Sequence, residues 1–64
     1  MWQVFVNVDE QGNILVEYSG RNIIAEDQYD YFFLVNEEVA MHLNEYKVSL
    51  NGFKPSLVLK GSAL

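Results

Sequence analysis

Side chains able to do chemistry are few and scattered in this sequence. His42 is the single histidine and there is no cysteine. That combination leaves His42 only the parts of a general base or of one ligand in a mixed set. On the helix expected around it, His42 lies off the Val39, Leu43 and Tyr46 stripe and near the C-terminal end, so it reads as an exposed, dipole-compensating histidine. Glu26, Asp27 and Asp30 are close enough in sequence to form an acidic pair for proton transfer or cation binding. Set in a polar loop, they read as a solvated face. Asp9, Gln11 and Asn13 alternate oxygen donors as a calcium loop does. The glycine at 12 is misplaced for such a loop, however, and no glutamate closes the site, which leaves a turn. Ser19-Gly20-Arg21 and Gly61-Ser62 have no histidine in register, and the glycines form neither a dinucleotide fingerprint nor a P-loop. No catalytic residue, metal site or cofactor is therefore assigned, and the chain reads as a non-enzyme.

The elements that would have to position any site belong to one small domain, residues 1–64. The chain has 64 residues and a mass of 7.4 kDa, and is 50% hydrophobic. A core of this size only narrowly offsets the entropy of ordering the chain, so association with other subunits is expected. Nine acidic against four basic residues give a net charge of -5. That balance repels phosphate backbones and argues against nucleic acid as a ligand. The longest apolar run, 31–35, is far too short to cross a bilayer, and Met1-Trp2-Gln3 lacks the positive start of a secretion signal. The expectation is a protein that stays in the cytoplasm where it is made, unless it leaves by lysis or as part of a larger particle.

Alternation of Trp2, Val4, Val6 and Val8 with Gln3, Phe5 and Asn7 has the period of a strand with one buried face. The polar stretch 9–13 reads as a hairpin loop returning into a second strand over 13–19, with Ile14, Val16 and Tyr18 on a common face. A third short strand or extended edge is expected at Ile23, Ile24 and Ala25. Residues 29–35, apolar apart from Asp30, read as a strand covered on both faces, either central or at a subunit contact. Asn36 as N-cap, Glu37 and Glu38 in the first turn, and Val39, Ala40, Leu43 and Tyr46 at helical spacing predict one helix over 37–45. Asn51-Gly52 between 47–50 and 53–54 is a hairpin signal. Pro55 then confines the last strand to 56–60, with the proline at its start or on an edge. Residues 61–64 are expected to fray. The fold class is α+β: a small antiparallel sheet of four to five short strands with one short helix, in the order β-β-(β)-β-α-β-β.

Nine aromatic residues are more than one small interior can hide. Strand alternation places Tyr29, Tyr31 and Phe33 on one face and Phe32 with Leu34 on the other. One set belongs to the core and the other is the candidate contact surface. Arg21, the single arginine, is a candidate interface anchor, since arginine is enriched at binding hot spots. The interface candidates are thus Tyr29, Tyr31, Phe32, Phe33 and Arg21.

A hairpin running from Val4-Phe5-Val6 through Gly12-Asn13-Ile14, then a helix leading to Tyr46-Lys47, Asn51-Gly52 and Leu57-Val58-Leu59, resembles short uncharacterised proteins encoded by tailed phages and prophages of Gram-positive bacteria, often among tail and baseplate genes. The likeness spans most of the chain and rests on hairpin punctuation and spacing. It departs from that pattern in the apolar run 29–35 and in Pro55. The resemblance implies a virion accessory or assembly protein and carries over no functional residues. The expected function is a noncatalytic structural or interaction module that self-associates as a homo-oligomer or docks on another protein. Its sheet edges offer a second route of contact. The alternative is a small acidic inhibitor that binds a basic surface of a host protein as a nucleic-acid mimic.

Overall fold

The computed structural model describes residues 1–61. The expectation for the last residues of the tail, 62–64, lies outside the described residues. Alternating valines make strand β1, Trp2–Val8, as the sequence predicts. Val4 and Val6 are wholly buried, and they form a core with Ala40, Leu43 and Val48. Strand β2, Ile14–Gly20, and strand β3, Tyr31–Val35, flank β1 on either side, both antiparallel to it, in the order β2-β1-β3. The central strand is therefore β1. The apolar run, expected to be central or at a subunit contact, is not central and supplies an edge strand, with Phe32 and Leu34 exposed on one face.

Five residues join β1 to β2, and their conformation follows from the Asp9 carboxylate. Its Oδ1 accepts the N–H of Gln11 at 2.8 Å and of Asn13 at 2.9 Å, while Oδ2 accepts the Asn13 amide at 3.1 Å. Asp9 N–H donates to the Asn13 carbonyl and Gly12 N–H to the Asp9 carbonyl, closing the loop. Gly12 has a positive φ of 86°, and its carbonyl accepts the Val48 N–H at 2.8 Å. A Cβ at this position would clash with the Val48 carbonyl oxygen. Glycine is thus required twice, by conformation and by the close approach of the Val48 backbone.

Pairing along β2 slips between Asn7 and Val8, where Val16 and then Ile14 are the successive partners. Leu15 is the extra residue of a β-bulge, and beyond it the faces exchange. Ile14 packs on the core whereas Val16 and Tyr18 are exposed. The face that the alternation assigned to all three is therefore divided.

Residues 21–30 form no strand, contrary to the one expected at 23–25. Because β2 and β3 run parallel to each other on either side of β1, this connection must travel the length of the sheet. The Ile23 N–H donates to the Gln3 side-chain oxygen at 2.8 Å, satisfying the backbone without a ladder. At the far end, Asp30 N–H donates to the Asn7 side-chain oxygen at 2.8 Å and the Asp30 carboxylate accepts the Val8 N–H at 2.9 Å, fixing the entry to β3.

After β3 the predicted N-cap is present: the Asn36 side-chain oxygen accepts the Val39 N–H at 2.9 Å. The helix α1 spans only Glu37–Ala40 and is followed by a separate 3-10 turn, Leu43–Glu45, in place of one helix over 37–45. Met41 and His42 interrupt it, with both Ala40 and Leu43 buried against the sheet. Strand β4, Tyr46–Asn51, and strand β5, Lys54–Leu59, form a separate two-stranded sheet. Their turn is shifted one residue from the expected Asn51-Gly52. Asn51 pairs with Lys54, leaving Gly52 and Phe53 as the central residues. Gly52 has φ 70° and Phe53 a negative φ, as a type II′ turn requires. Pro55 lies inside β5 opposite Leu50, where a two-stranded sheet leaves its missing N–H at an edge. An Asn13–Lys47 bridge ties the two sheets. The architecture is therefore mostly β, five strands in two antiparallel sheets with one short helix and a 3-10 turn, and not a balanced α+β fold.

Two expected outcomes follow from the β1–β2 loop. Gly12→Ala should lose about 2–3 kcal/mol, from the left-handed conformation and the broken Val48 bond together. Gly52→Ala, with nothing within 4 Å of the added methyl, should lose only the conformational part, about 1–2 kcal/mol. Urea denaturation of the two variants checks this, and equal losses would contradict it. Donation first from the Asn13 side chain and then from the Asn13 backbone holds the Asp9 carboxyl below its ordinary value. A depressed folded-state value contributes stability above the unfolded value, lost as pH falls through the folded one. The stability advantage of the native chain over Asp9→Asn should therefore shrink between about pH 6 and about pH 2. A constant difference across that range, measured by urea midpoint, would contradict the assignment.

Candidate functional site

None of the reactive groups assembles into a site. The alternating oxygens of Asp9, Gln11 and Asn13 are brought together, but the two Asp9 oxygens are engaged by loop N–H groups and the Asn13 amide. Asp30 is engaged by Val8, while Glu26 and Asp27 stand exposed on the crossover. His42 is exposed, and its Nδ1 hydrogen-bonds to the Glu38 carbonyl at 2.7 Å, which caps the end of α1. A cleft between the β1–β2 loop and β4 is lined by Val8, Gly12, Tyr31, Lys47 and Leu50 with Glu10 at its rim. It gathers no acid–base pair beyond Glu10 and Lys47. Among the described residues no group of three or more histidines and carboxylates is placed to hold a metal ion. No helix among them is long and apolar enough to cross a membrane.

What the fold does assemble is an aromatic surface. Strand pairing sets Phe5 opposite Tyr18 on one side and Phe32 on the other, all pointing away from the core. The Phe5 and Phe32 ring centroids are 4.8 Å apart and those of Phe5 and Tyr18 are 6.2 Å apart. Tyr29, carried by the crossover, lays its ring 5.7 Å from Phe5 and stacks on Tyr18 at 6.3 Å. These separations are those of favourable aromatic pairs. The crossover thus covers the middle of the outer face but not its margins. Phe32 remains 48% exposed and Leu34 55%, and Val16 and Tyr18 are similarly open. Half-exposed apolar side chains thus line both margins of the outer face, Val16 and Tyr18 on the β2 side and Phe32 and Leu34 on the β3 side.

The sequence candidates divide along this geometry. Phe32 faces outward, with Leu34 beside it, as alternation required. Tyr31 and Phe33 face inward, half-buried against the core with ring centroids 6.5 Å apart. Tyr29 belongs with the outer cluster and not with Tyr31 and Phe33, because the strand starts only at Tyr31 and Asp30 turns the chain before it. Arg21 is exposed where the crossover leaves β2. Phe5, Tyr18, Val16 and Leu34 are members of the outer surface that the candidate list omits. Phe5 was legible as the lone aromatic at a polar position of the first strand, whereas Val16 and Tyr18 were concealed by the bulge at Leu15.

Comparison of this chain with protein-family models, with curated proteins and with solved structures finds no match.

Proposed function

We propose that this protein is a noncatalytic interaction module that self-associates through the apolar surface around Phe32 and Leu34. The observation that supports the reading is the incompletely covered outer face of the three-stranded sheet: large apolar side chains stand half-exposed on a domain whose core, among the described residues, has five buried side chains. A chain that places so much of its hydrophobic area outside its own core gains stability from a second surface. The resemblance of the hairpin order to short phage and prophage proteins suggests a role as a virion accessory or assembly component, in which repeated copies would be the natural partner. The competing reading, an acidic mimic of nucleic acid, draws on Glu26 and Asp27 beside Tyr18 and Tyr29. Its weakness is that the remaining carboxylates are spread over the chain without forming a stripe.

Absolute mass by light scattering behind a sizing column, at low and high concentration and at low and high salt, tests the proposal. The expected result is a species heavier than 7.4 kDa that forms on concentration and survives high salt, because an apolar contact is not screened. Phe32→Ser should raise the protein concentration needed to form that species several-fold, with a small change in melting temperature. Phe33→Ser, which opens the inward face, should unfold the chain or lower its melting temperature by about 10 °C or more. A monomer under all four conditions would overturn self-association. A complex with an added basic protein that dissolves in salt would instead favour the mimic.

A further inference from the structure

The free edges of the two sheets are unequally protected. β2 is interrupted by a bulge at Leu15, carries Glu17 and is bridged to β4 at its start. β5 begins with Lys54 and Pro55. Bulges, charges and prolines are the devices that keep sheet edges from pairing with other chains. β3, Tyr-Phe-Phe-Leu-Val, has none of them, and among the described residues no strand pairs on its far side.

The direction of its main-chain groups can be fixed. The Val8 N–H points to the β3 side, where it reaches Asp30, and the Asp9 N–H points to the β2 side, where it reaches Asn13. Since N–H groups alternate along a strand, Val6, Val4 and Trp2 bond to Tyr31, Phe33 and Val35, their partners in register. The main-chain groups of Phe32 and Leu34 therefore point out of the sheet. Among the described residues they have no hydrogen bond to another element. The same two residues carry the half-exposed side chains of the outer face.

We infer that β3 pairs antiparallel with β3 of a second copy of this chain about a two-fold axis at Phe33, joining two three-stranded sheets into one of six strands. This rests on the self-association proposed above and specifies its route. The register follows from the outward groups: Phe32 opposite the partner's Leu34, and the reverse, form two reciprocal hydrogen-bonded pairs. Centring the axis on Phe32 instead would set Leu34 against Asp30, whose N–H is already held by Asn7. Centring it on Leu34 would oppose Asp30 to Glu38. With the axis at Phe33, Asp30 faces Asn36 and Glu37 faces Tyr29, so a chain of net charge -5 meets itself without a like-charge pair. A second copy fits this edge because every residue from Tyr31 to Val35 is uncharged and apolar. The contact is small compared with a standard interface of about 800 Å² per partner. It therefore gives a concentration-dependent dimer, with the outer aromatic faces of both copies continuous across the junction.

Because the chain has no cysteine, single cysteines report the register. Opposite residues in a hydrogen-bonded pair lie about 5.5 Å apart, inside the disulfide range of about 4.4–6.8 Å. Phe32→Cys mixed with Leu34→Cys should oxidise to a disulfide dimer several-fold faster than either variant alone. In parallel, a synthetic chain bearing N-methyl-leucine at 34 keeps the side chain but removes the outward N–H. It should remain folded by circular dichroism, and its dimer should dissociate at a protein concentration at least several-fold higher than that of the unmodified chain. Should the unmodified chain associate while the N-methylated chain associates equally well and the cysteines show no preference for the mixed pair, edge pairing is overturned and association through the face stands. Absence of any association in the unmodified chain overturns both.

Discussion

Every element of this fold takes its place from β1, which pairs with β2 along one edge and with β3 along the other. Its two faces have opposite duties. Among the described residues Val4 and Val6 are the only side chains removed entirely from water, and α1, the 3-10 turn and the β4–β5 sheet gather over them. Gln3, Phe5 and Asn7 on the other face hold the crossover, through Ile23, Tyr29 and Asp30 respectively. A seven-residue strand thereby fixes the inner packing, the path of the connection and the start of β3. A shift by one residue would send the valines to the outer face and the crossover's anchors into the core.

That economy leaves a residue of unmet surface. The helix and the second sheet close the inner side, but a ten-residue crossover with a few anchored side chains cannot close the outer side or either edge. The chain protects most of this margin with a bulge, lysines and a proline, and leaves β3 without any such device. Exposed apolar side chains and unpaired main-chain groups then coincide on Phe32 and Leu34. On the proposed reading this coincidence would link stability to association, since a second copy could satisfy both features at once.

Much of this was legible in the residues, and the remainder failed for identifiable reasons. Strict alternation over 2–8 marked β1, Asp9 and Gly12 marked the first loop, and Asn36 marked the start of α1. Each of these signals is local, and each is present in the structure. The central position of β1 was not legible, because an uninterrupted apolar run such as 31–35 carries the same pattern whether its outer face is covered by its own chain or by another. The bulge at Leu15 has no turn residue to announce it, and it moved Val16 and Tyr18 to the aromatic surface. The helix was foreshortened by tertiary packing, with Ala40 and Leu43 buried on either side of the interruption at Met41 and His42. For the site, sequence could name aromatic candidates but not sort them, since the sorting depends on where β3 begins.

The central claim is that β3 is an edge whose outward groups are those of Phe32 and Leu34, and amide hydrogen exchange resolved residue by residue along 31–35 tests it most directly. In a dilute sample the amides of Tyr31, Phe33 and Val35 should be protected and those of Phe32 and Leu34 should exchange rapidly. On concentration the latter two should gain protection while the first three change little. Uniform protection of all five amides in the dilute sample, or rapid exchange at Phe32 and Leu34 that persists at high concentration, would contradict the account.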